Sequence, residues 1–191
     1  MPAVLAGGVD ELDPVVEREL ERFGFDAERR SEGAAFLVLE PRVAAEARGA
    51  PVLGEISGAA WRALPARPWG VGRSRRSPAI EAVLEAAGAR AADLGWVYAS
   101  GSGDDARDRW EEQVLGAALG SVAPVSTLGR LLGRHAGLGV LRVAAGAWTA
   151  RSGLLPATDG ATRVERVRPG RGLVHGLARG GTHVALVVDA A

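Results

Sequence analysis

A layered α/β fold with buried sheets is what this 191-residue sequence predicts. Three observations carry the prediction. Short apolar runs alternate with segments whose apolar residues recur every three or four positions. Several of those segments carry their own start and stop residues. A hydrophobic content of 47% over this length supplies one domain with a core. No short-period repeat or low-complexity tract interrupts the pattern.

The elements follow in order. Ala3 to Gly8 reads as a short buried strand ending in Gly-Gly. Asp13-Pro14 supplies a helix N-cap with proline at the first helical position. Val16, Leu20 and Phe23 then form one apolar stripe, and Gly24 stops the helix. Ala34 to Leu39 is so continuously apolar that both faces of the strand are expected to be buried. A short alanine-rich helix from Val43 to Arg48 and a strand from Pro51 to Ser57 follow. Residues 61–76 carry Gly and Pro punctuation and the cluster Arg73-Ser-Arg-Arg76, and read as a surface loop. Arg73, Arg75 and Arg76 are either a solvated charge run or a clamp for a phosphate-bearing or acidic partner.

Ser77-Pro78 caps the next helix, with Ile80, Val83, Leu84 and Ala87 on one face. Trp96 to Ala99 is a strand, and Trp110, Val114, Ala117 and Ala118 share a face of the helix beyond it. Ala123 to Ser126 is another short strand. Leu138, Leu141, Ala145 and Trp148 line a helix that ends at Gly153, with Pro156 beyond, and Thr182 to Val188 is a closing strand.

Composition removes several chemistries. The sequence has no cysteine, so it offers no disulfide, no thiolate metal site and no thiol nucleophile. All 23 basic residues are arginine, so lysine Schiff-base chemistry is excluded as well. Those 23 cations balance 23 carboxylates, so no whole-chain field recruits nucleic acid or an anionic membrane. No leader peptide and no 18-residue apolar run is found, and a cytoplasmic protein without a membrane span is the expectation. His135, His175 and His183 lie on separate segments without metal-ligand spacing, and read as solvated or hydrogen-bonded structural residues. No metal or cofactor is expected, and no G-x-S-x-G motif marks a serine hydrolase.

The densest motif is Tyr98-Ala-Ser-Gly-Ser-Gly-Asp-Asp-Ala-Arg-Asp-Arg-Trp-Glu111. From the residues alone, Ser100-Gly-Ser-Gly103 between a strand and a helix is either an anion-binding nest or a tight turn requiring glycine. It lacks both G-x-G-x-x-G spacing and a P-loop lysine.

The same stretch resembles the second active-site loop of the β-ketoacyl synthases, usually N-A-H-G-T-G-T-P-L-N-D-x-x-E, with every spacing in agreement. Other segments in the same order strengthen the resemblance. Leu5-Ala-Gly-Gly-Val-Asp-Glu-Leu12 is similar to A-G-G-V-x-E, Phe25-Asp-Ala-Glu-Arg29 to P-F-D-x-x-R, and Glu32 to Glu40 to G-E-G-A-x-x-L-V-L-E. Arg48 to Gly58 resembles A-R-G-A-x-x-x-A-E-I-x-G. Pro124-Val-Ser-Thr127 and Gly129-Arg-Leu-Leu-Gly133 resemble V-x-S-T-K and G-H-x-x-G with the residues between them deleted. Ser152 to Pro156 resembles D-G-x-x-P-P, and Gly180-Gly-Thr-His183 stands where F-G-F-G-G-T-N belongs. Roughly residues 5–60, 77–157 and 174–188 are covered.

The resemblance implies a thiolase-like layered fold of two similar halves, of which this chain holds the end of the first and the complete second. It divides the chain into 1–60, the end of the first half; 61–76, the Arg/Pro/Gly-rich loop; and 77–191, the second half. In the family a cysteine of the first half attacks the acyl thioester, while two histidines, a lysine and a glutamate of the second half support decarboxylation and condensation. Here the cysteine position lies upstream of Met1, Ser100 and Arg130 occupy the two histidine positions, and the lysine position is deleted. Leu177 and Arg179 stand near the family's gatekeeper phenylalanines. General acid–base groups each contribute roughly 10²–10⁴-fold, so no residue is assigned a catalytic role. Gly101, Ser102, Gly103, Asp108, Glu111, Gly133, Gly180, Gly181 and Thr182 are the retained loop scaffold.

What the resemblance implies is a non-catalytic, chain-length-factor-like subunit of fatty-acid or polyketide biosynthesis. Its partner would be an active ketosynthase or a separately encoded N-terminal half. The alternatives are a split β-ketoacyl-ACP synthase, active only with its partner, and an acyl-carrier-protein binding module using Arg73, Arg75 and Arg76. A gene remnant is a further reading.

Overall fold

The computed structural model describes residues 3–24, 30–64, 72, 74–121, 123–158, 163–178 and 180–191. The chain opens with strand β1 (Val4–Asp10) and helix α1 (Pro14–Arg22). Asp13 caps α1, accepting hydrogen bonds from Val15 N and Val16 N. Strand β2 (Gly33–Leu39), helix α2 (Arg42–Ala47) and strand β3 (Glu55–Ala63) come next. Helix α3 (Pro78–Ala86) starts on the Ser77 cap as expected. Beyond it lie β4 (Val97–Tyr98), α4 (Asp105–Leu119), β5 (Val125–Ser126), the one-turn α5 (Gly129–Leu132) and α6 (Leu138–Ser152). A hairpin of β6 (Leu154–Pro156) and β7 (Val164–Arg166), then β8 (Gly172–Leu177) and β9 (Thr182–Asp189), complete the chain.

The central sheet has the order β3-β9-β8-β4-β5. Its first three strands pair antiparallel, and β4 runs parallel to both β8 and β5. Helices α3 and α4 cover one face through Ile80, Val83, Val114, Leu115 and Leu119 against Val97, Leu173 and Val187. Helix α6 covers the other face, where Leu138 and Ala150 meet Trp96, Tyr98, Val174 and Val188. The opposite side of α6 packs on the antiparallel β1–β2 pair, so α6 lies between two sheets. The layers are those expected of the α/β class.

Several expectations need correction. Strand β2 is not buried on both faces: Phe36 and Val38 are exposed, and Leu5 and Val9 of β1 lie beside them on the same outward face. Nothing among the described residues covers that face, and local apolar content cannot report a missing cover. For the same reason α1 carries its apolar stripe but buries none of its residues. Strand β3 begins four residues later than expected, and it runs into the segment assigned to the loop. Trp61, Arg62 and Ala63 pair with Val184, His183 and Thr182 of β9. Strand β8 is not marked in the sequence, because glycines and a histidine break its apolar run. Gly172 is fixed by packing, since a Cβ there would lie 2.1 Å from the Trp96 ring. On α4, Ala117 faces solvent, and the buried side is Trp110, Val114 and Leu115 together with Arg107, Asp108 and Glu111. Likewise on α6, Trp148 is half exposed, while Gly146 and Thr149 face inward.

Among the described residues no helix is long and apolar enough to cross a membrane.

Candidate functional site

The loop between β4 and α4 is built by two carboxylates reaching back from the helix. Asp104 caps α4, accepting from Ala106 N at 3.0 Å and Arg107 N at 3.1 Å. One turn further, Asp108 accepts from Ser102 N and Ser102 Oγ, both at 2.7 Å, and from Gly103 N at 3.1 Å. Glu111 accepts from Ser100 N at 2.9 Å and from Gly101 N at 3.3 Å. Four successive backbone N–H groups, those of Ser100, Gly101, Ser102 and Gly103, are thereby taken up internally. The loop is the tight turn and not the anion nest, because the donors such a nest needs are already bonded. Gly101 and Gly103 have φ of 54° and 81°, and a Cβ on Gly101 would lie 2.5 Å from Thr127 Cβ.

Glu111 has a third partner that sequence reasoning missed. His175, buried on β8, donates from Nδ1 to Glu111 Oε1 at 2.5 Å. Burial alone raises the Glu111 pKa, but the His175 hydrogen bond and charge, the Ser100 N–H and the Arg142 charge together hold it below its ordinary value. His183, on β9 and fully buried, stacks edge-on against both His175 and Trp110. Its pKa is lowered to about 4, by burial first and by the neighbouring His175 second, with Glu111 opposing. His175 is thus a buried, hydrogen-bonded residue. His183 has no hydrogen-bond partner on either ring nitrogen among the described residues. The signal that points to them is the inward turn of Asp108 and Glu111, since a buried carboxylate requires donors.

The two positions aligned with the family's histidines line different cavities. Ser100 lines a cleft of ≈ 560 Å³ with Ser102, Arg107, Arg142 and Leu177. The Ser100 hydroxyl donates weakly to the Leu177 carbonyl at 3.4 Å. Arg107 Nη2 donates to the same carbonyl at 3.1 Å. Arg130 is exposed on α5 and lines a different cavity of ≈ 450 Å³ with Asp108, Glu111, Glu112 and Thr127. Among the described residues Gly101 alone borders both, so the structure does not bring Ser100 and Arg130 to one cavity.

Gly133 ends α5 with φ 72°. Gly180, Gly181 and Thr182 form the turn between β8 and β9, closed by the Ala178 N–H donating to Thr182 O at 2.9 Å. Leu64 N donates to Gly181 O at 2.8 Å and ties this turn to β3. Of the arginine cluster, Arg75 is exposed and Arg76 pairs with Glu81 at 2.8 Å. Arg73, Arg179 and the Phe25–Arg29 motif lie outside the described residues. Trp110 Nε1 donates to Ser74 O at 2.7 Å, fastening the end of the loop to α4. Among the described residues no group of three or more His, Cys, Asp or Glu is placed to hold a metal ion.

No protein-family model matches the chain. Comparison with known proteins nonetheless gives a consistent result. The chain is 33% identical over 194 residues to actinorhodin polyketide β-ketoacyl synthase 2 of Streptomyces coelicolor, across 86% of this chain and 46% of that protein. It is 35% identical over 133 residues to the tetracenomycin polyketide synthase ketoacyl synthase alpha subunit of Streptomyces glaucescens, across 66% of this chain and 31% of that protein. The chain thus spans less than half the length of these curated relatives. Among solved structures, a β-ketoacyl synthase from Burkholderia phymatum superposes with a TM-score of 0.85 at 23% identity, over 99% of this chain and 55% of that one. The ishigamide ketosynthase/chain length factor superposes with a TM-score of 0.84 at 22% identity, over 99% of this chain and 54% of that one. These likenesses show the fold, and the sequence matches name the lineage. With the layered architecture and the loop text agreeing, the chain belongs to the β-ketoacyl synthase family, of which it represents a C-terminal portion with a thiolase-like fold.

Proposed function

We infer that the chain is a ketosynthase-like subunit of polyketide or fatty-acid assembly, non-catalytic itself and completed by a partner polypeptide. One observation carries this reading: the outward face of β1–β2 is entirely apolar and uncovered among the described residues. Leu5 is 67% exposed, Val9 64%, Phe36 54% and Val38 60%. A contiguous apolar sheet face of this kind is stable in water only beneath another layer. The partner is an active ketosynthase or a separately encoded N-terminal half. We place the division between the halves before β3 rather than at residue 60, because β3 pairs within the five-stranded sheet.

The non-catalytic reading rests on the proposal that Ser100 and Arg130 occupy the positions of the family's two histidines. A serine whose hydroxyl is turned weakly to a backbone carbonyl and an exposed, permanently charged guanidinium do not shuttle protons as an imidazole does. Co-expression with candidate ketosynthases and N-terminal halves, followed by size-exclusion chromatography, tests the reading. A stable complex that weakens with Phe36→Ser supports it. A monodisperse monomer with cooperative unfolding overturns it. The alternative of a split synthase is separated by supplying the complex with acyl carrier protein and a malonyl thioester. Condensation or decarboxylation lost in Arg130→Ala favours that enzyme. The carrier-binding alternative predicts salt-sensitive binding lost in Arg75→Ala, and the Arg76–Glu81 pair weighs against Arg76 as a free contact.

A further inference from the structure

Strand β3 is one rim of the central sheet, and its outer edge has no neighbour among the described residues. Leu64 N donates to the carbonyl of Gly181, the residue directly opposite it, and in an antiparallel ladder such bonded pairs recur at every second residue. Arg62, Ala60 and Gly58 therefore bond to β9, while Ala59, Trp61 and Ala63 turn their N–H and C=O groups outward. The nine residues Glu55–Ala63 contain neither lysine nor proline, the residues that usually blunt an open edge. Trp61 is 67% exposed on this rim and Ile56 36%.

The sequence along the edge matches itself in reverse. A second copy of β3, antiparallel and centred on Ala59, sets Ala59 opposite Ala59 and Gly58 opposite Ala60. The bulge between Ile56 and Gly58 takes up one residue in each copy. Beyond it, Ile56 falls opposite Trp61 and Glu55 opposite Arg62. The faces agree as well. Ile56 and Trp61 pair with Val188 and Val184 of β9, on the side of the sheet toward α6. Glu55 and Arg62 pair with Asp189 and His183, on the side toward α3 and α4. Without the bulge, Ile56 and Trp61 would point to opposite faces and the match would fail. Both charged residues are exposed. Arg62 Nη1 donates to the Trp61 carbonyl, and Arg42 holds Glu55 through Oε2. A carboxylate has room for a second guanidinium.

We propose that β3 is a homotypic interface, on which two copies of the chain join edge to edge about a twofold axis at Ala59. The two five-stranded sheets become one. A backbone ladder holds the copies together, and its register is set by the apolar Ile56–Trp61 pair and the Glu55–Arg62 ion pair, each occurring twice. The edge belongs to a different sheet from the β1–β2 face, so this proposal and the pairing reading can fail separately.

Sedimentation equilibrium over a range of concentrations tests the proposal on the chain, or on its complex if only the complex is obtained. A reversible doubling of mass is expected. Arg62→Glu sets like charges opposite each other twice and weakens association roughly tenfold or more. The swap of Glu55→Arg with Arg62→Glu recovers it, which only this register does. The chain has no cysteine, so Ala59→Cys reports the axis directly. Opposed Cα atoms of a bonded antiparallel pair lie about 5.5 Å apart, within disulfide reach, and mild oxidation gives a covalent dimer. Arg166→Cys, on the exposed strand β7, does not. A mass that stays constant with concentration overturns the proposal. So does association unchanged by Arg62→Glu, or Ala59→Cys cross-linking no faster than Arg166→Cys. Association that survives Arg62→Glu but is lost in Phe36→Ser overturns it in favour of the β1–β2 face. A monomer whose β3 amides gain exchange protection only with another polypeptide overturns it in favour of a foreign strand.

Discussion

Glu111 is the residue on which the loop depends most, and its removal has a calculable consequence. Glu111→Ala deletes the acceptor for Ser100 N at 2.9 Å, Gly101 N at 3.3 Å and His175 Nδ1 at 2.5 Å. Each buried donor left unmade costs about 1–3 kcal/mol, with the long Gly101 contact at the low end. These terms overlap, and removing a buried carboxylate that satisfies three donors costs about 3–5 kcal/mol in all. Glu111→Gln keeps one carbonyl acceptor but turns an NH2 toward donors, so a smaller loss of about 1–3 kcal/mol is expected. Urea unfolding followed by tryptophan fluorescence and circular dichroism reads the loss. With a slope of roughly 2 kcal/mol per molar, Glu111→Ala moves the midpoint down by more than about 1 M. Glu112→Gln, on the neighbouring exposed position, is the control and stays within about 0.5 kcal/mol of the parent. Amide exchange supplies a local readout: Ser100 and Gly101 lose protection while β9 amides keep theirs. An Ala variant within 0.5 kcal/mol of the parent, with both loop amides still protected, refutes the reasoning.

Three further outcomes follow from the same contacts. Gly101→Ala combines a left-handed backbone with a Cβ 2.5 Å from Thr127 Cβ, and costs roughly 2–4 kcal/mol by chemical denaturation; Thr127→Ala in the same background recovers part of it. His183 has its folded pKa lowered to about 4 from 6.5, so below pH 6.5 the unfolded chain binds a proton that the native one refuses. Stability therefore falls as pH drops from 6.5 toward 4, by at most about 1.4 kcal/mol per unit, and His183→Gln flattens that limb; an unchanged slope in the variant counts against a buried neutral ring. Phe36→Ser raises the soluble yield of the chain expressed alone and reduces co-elution with a partner, whereas a substitution that leaves both unchanged removes the β1–β2 face as the contact surface.

Local chemistry made some of this legible. The Asp13-Pro14 and Ser77-Pro78 caps, the turn at Ser100 to Gly103 and the closing strand β9 each announce themselves within a few residues. What stayed hidden depends on distant pairing. Strand β8 is interrupted by Gly172, His175 and Gly176, and becomes a strand because β4 and β9 pair with it on either side. The extension of β3 through Ala63 is set by β9, not by its own Trp-Arg-Ala text. The exposure of Phe36 and Val38 is invisible for the opposite reason, since periodicity marks apolar residues whether or not a layer covers them. At the site, the resemblance singled out Asp108 and Glu111 as loop scaffold, and in the structure both accept hydrogen bonds from loop amides. It gave no sign of His175, which meets Glu111 across 64 residues of sequence.

That last contact helps explain how the loop keeps its shape. A buried Glu111 needs donors, and here they are the N–H groups of Ser100 and Gly101 and the Nδ1 of His175. The cost of changing a loop residue then depends on what its side chain holds. Ser100 contributes its backbone N–H to the turn, while its hydroxyl makes only a 3.4 Å contact, so any residue that fits the backbone keeps the turn. Asp108 and Glu111 between them satisfy four successive amides, and neither can be replaced without orphaning buried donors. If Ser100 occupies the family's histidine position, as we propose, that position is one the fold tolerates cheaply, whereas Asp108 and Glu111 are ones the fold requires. Retention of the motif is a statement about folding energy, and it carries no implication that the chain retains the chemistry.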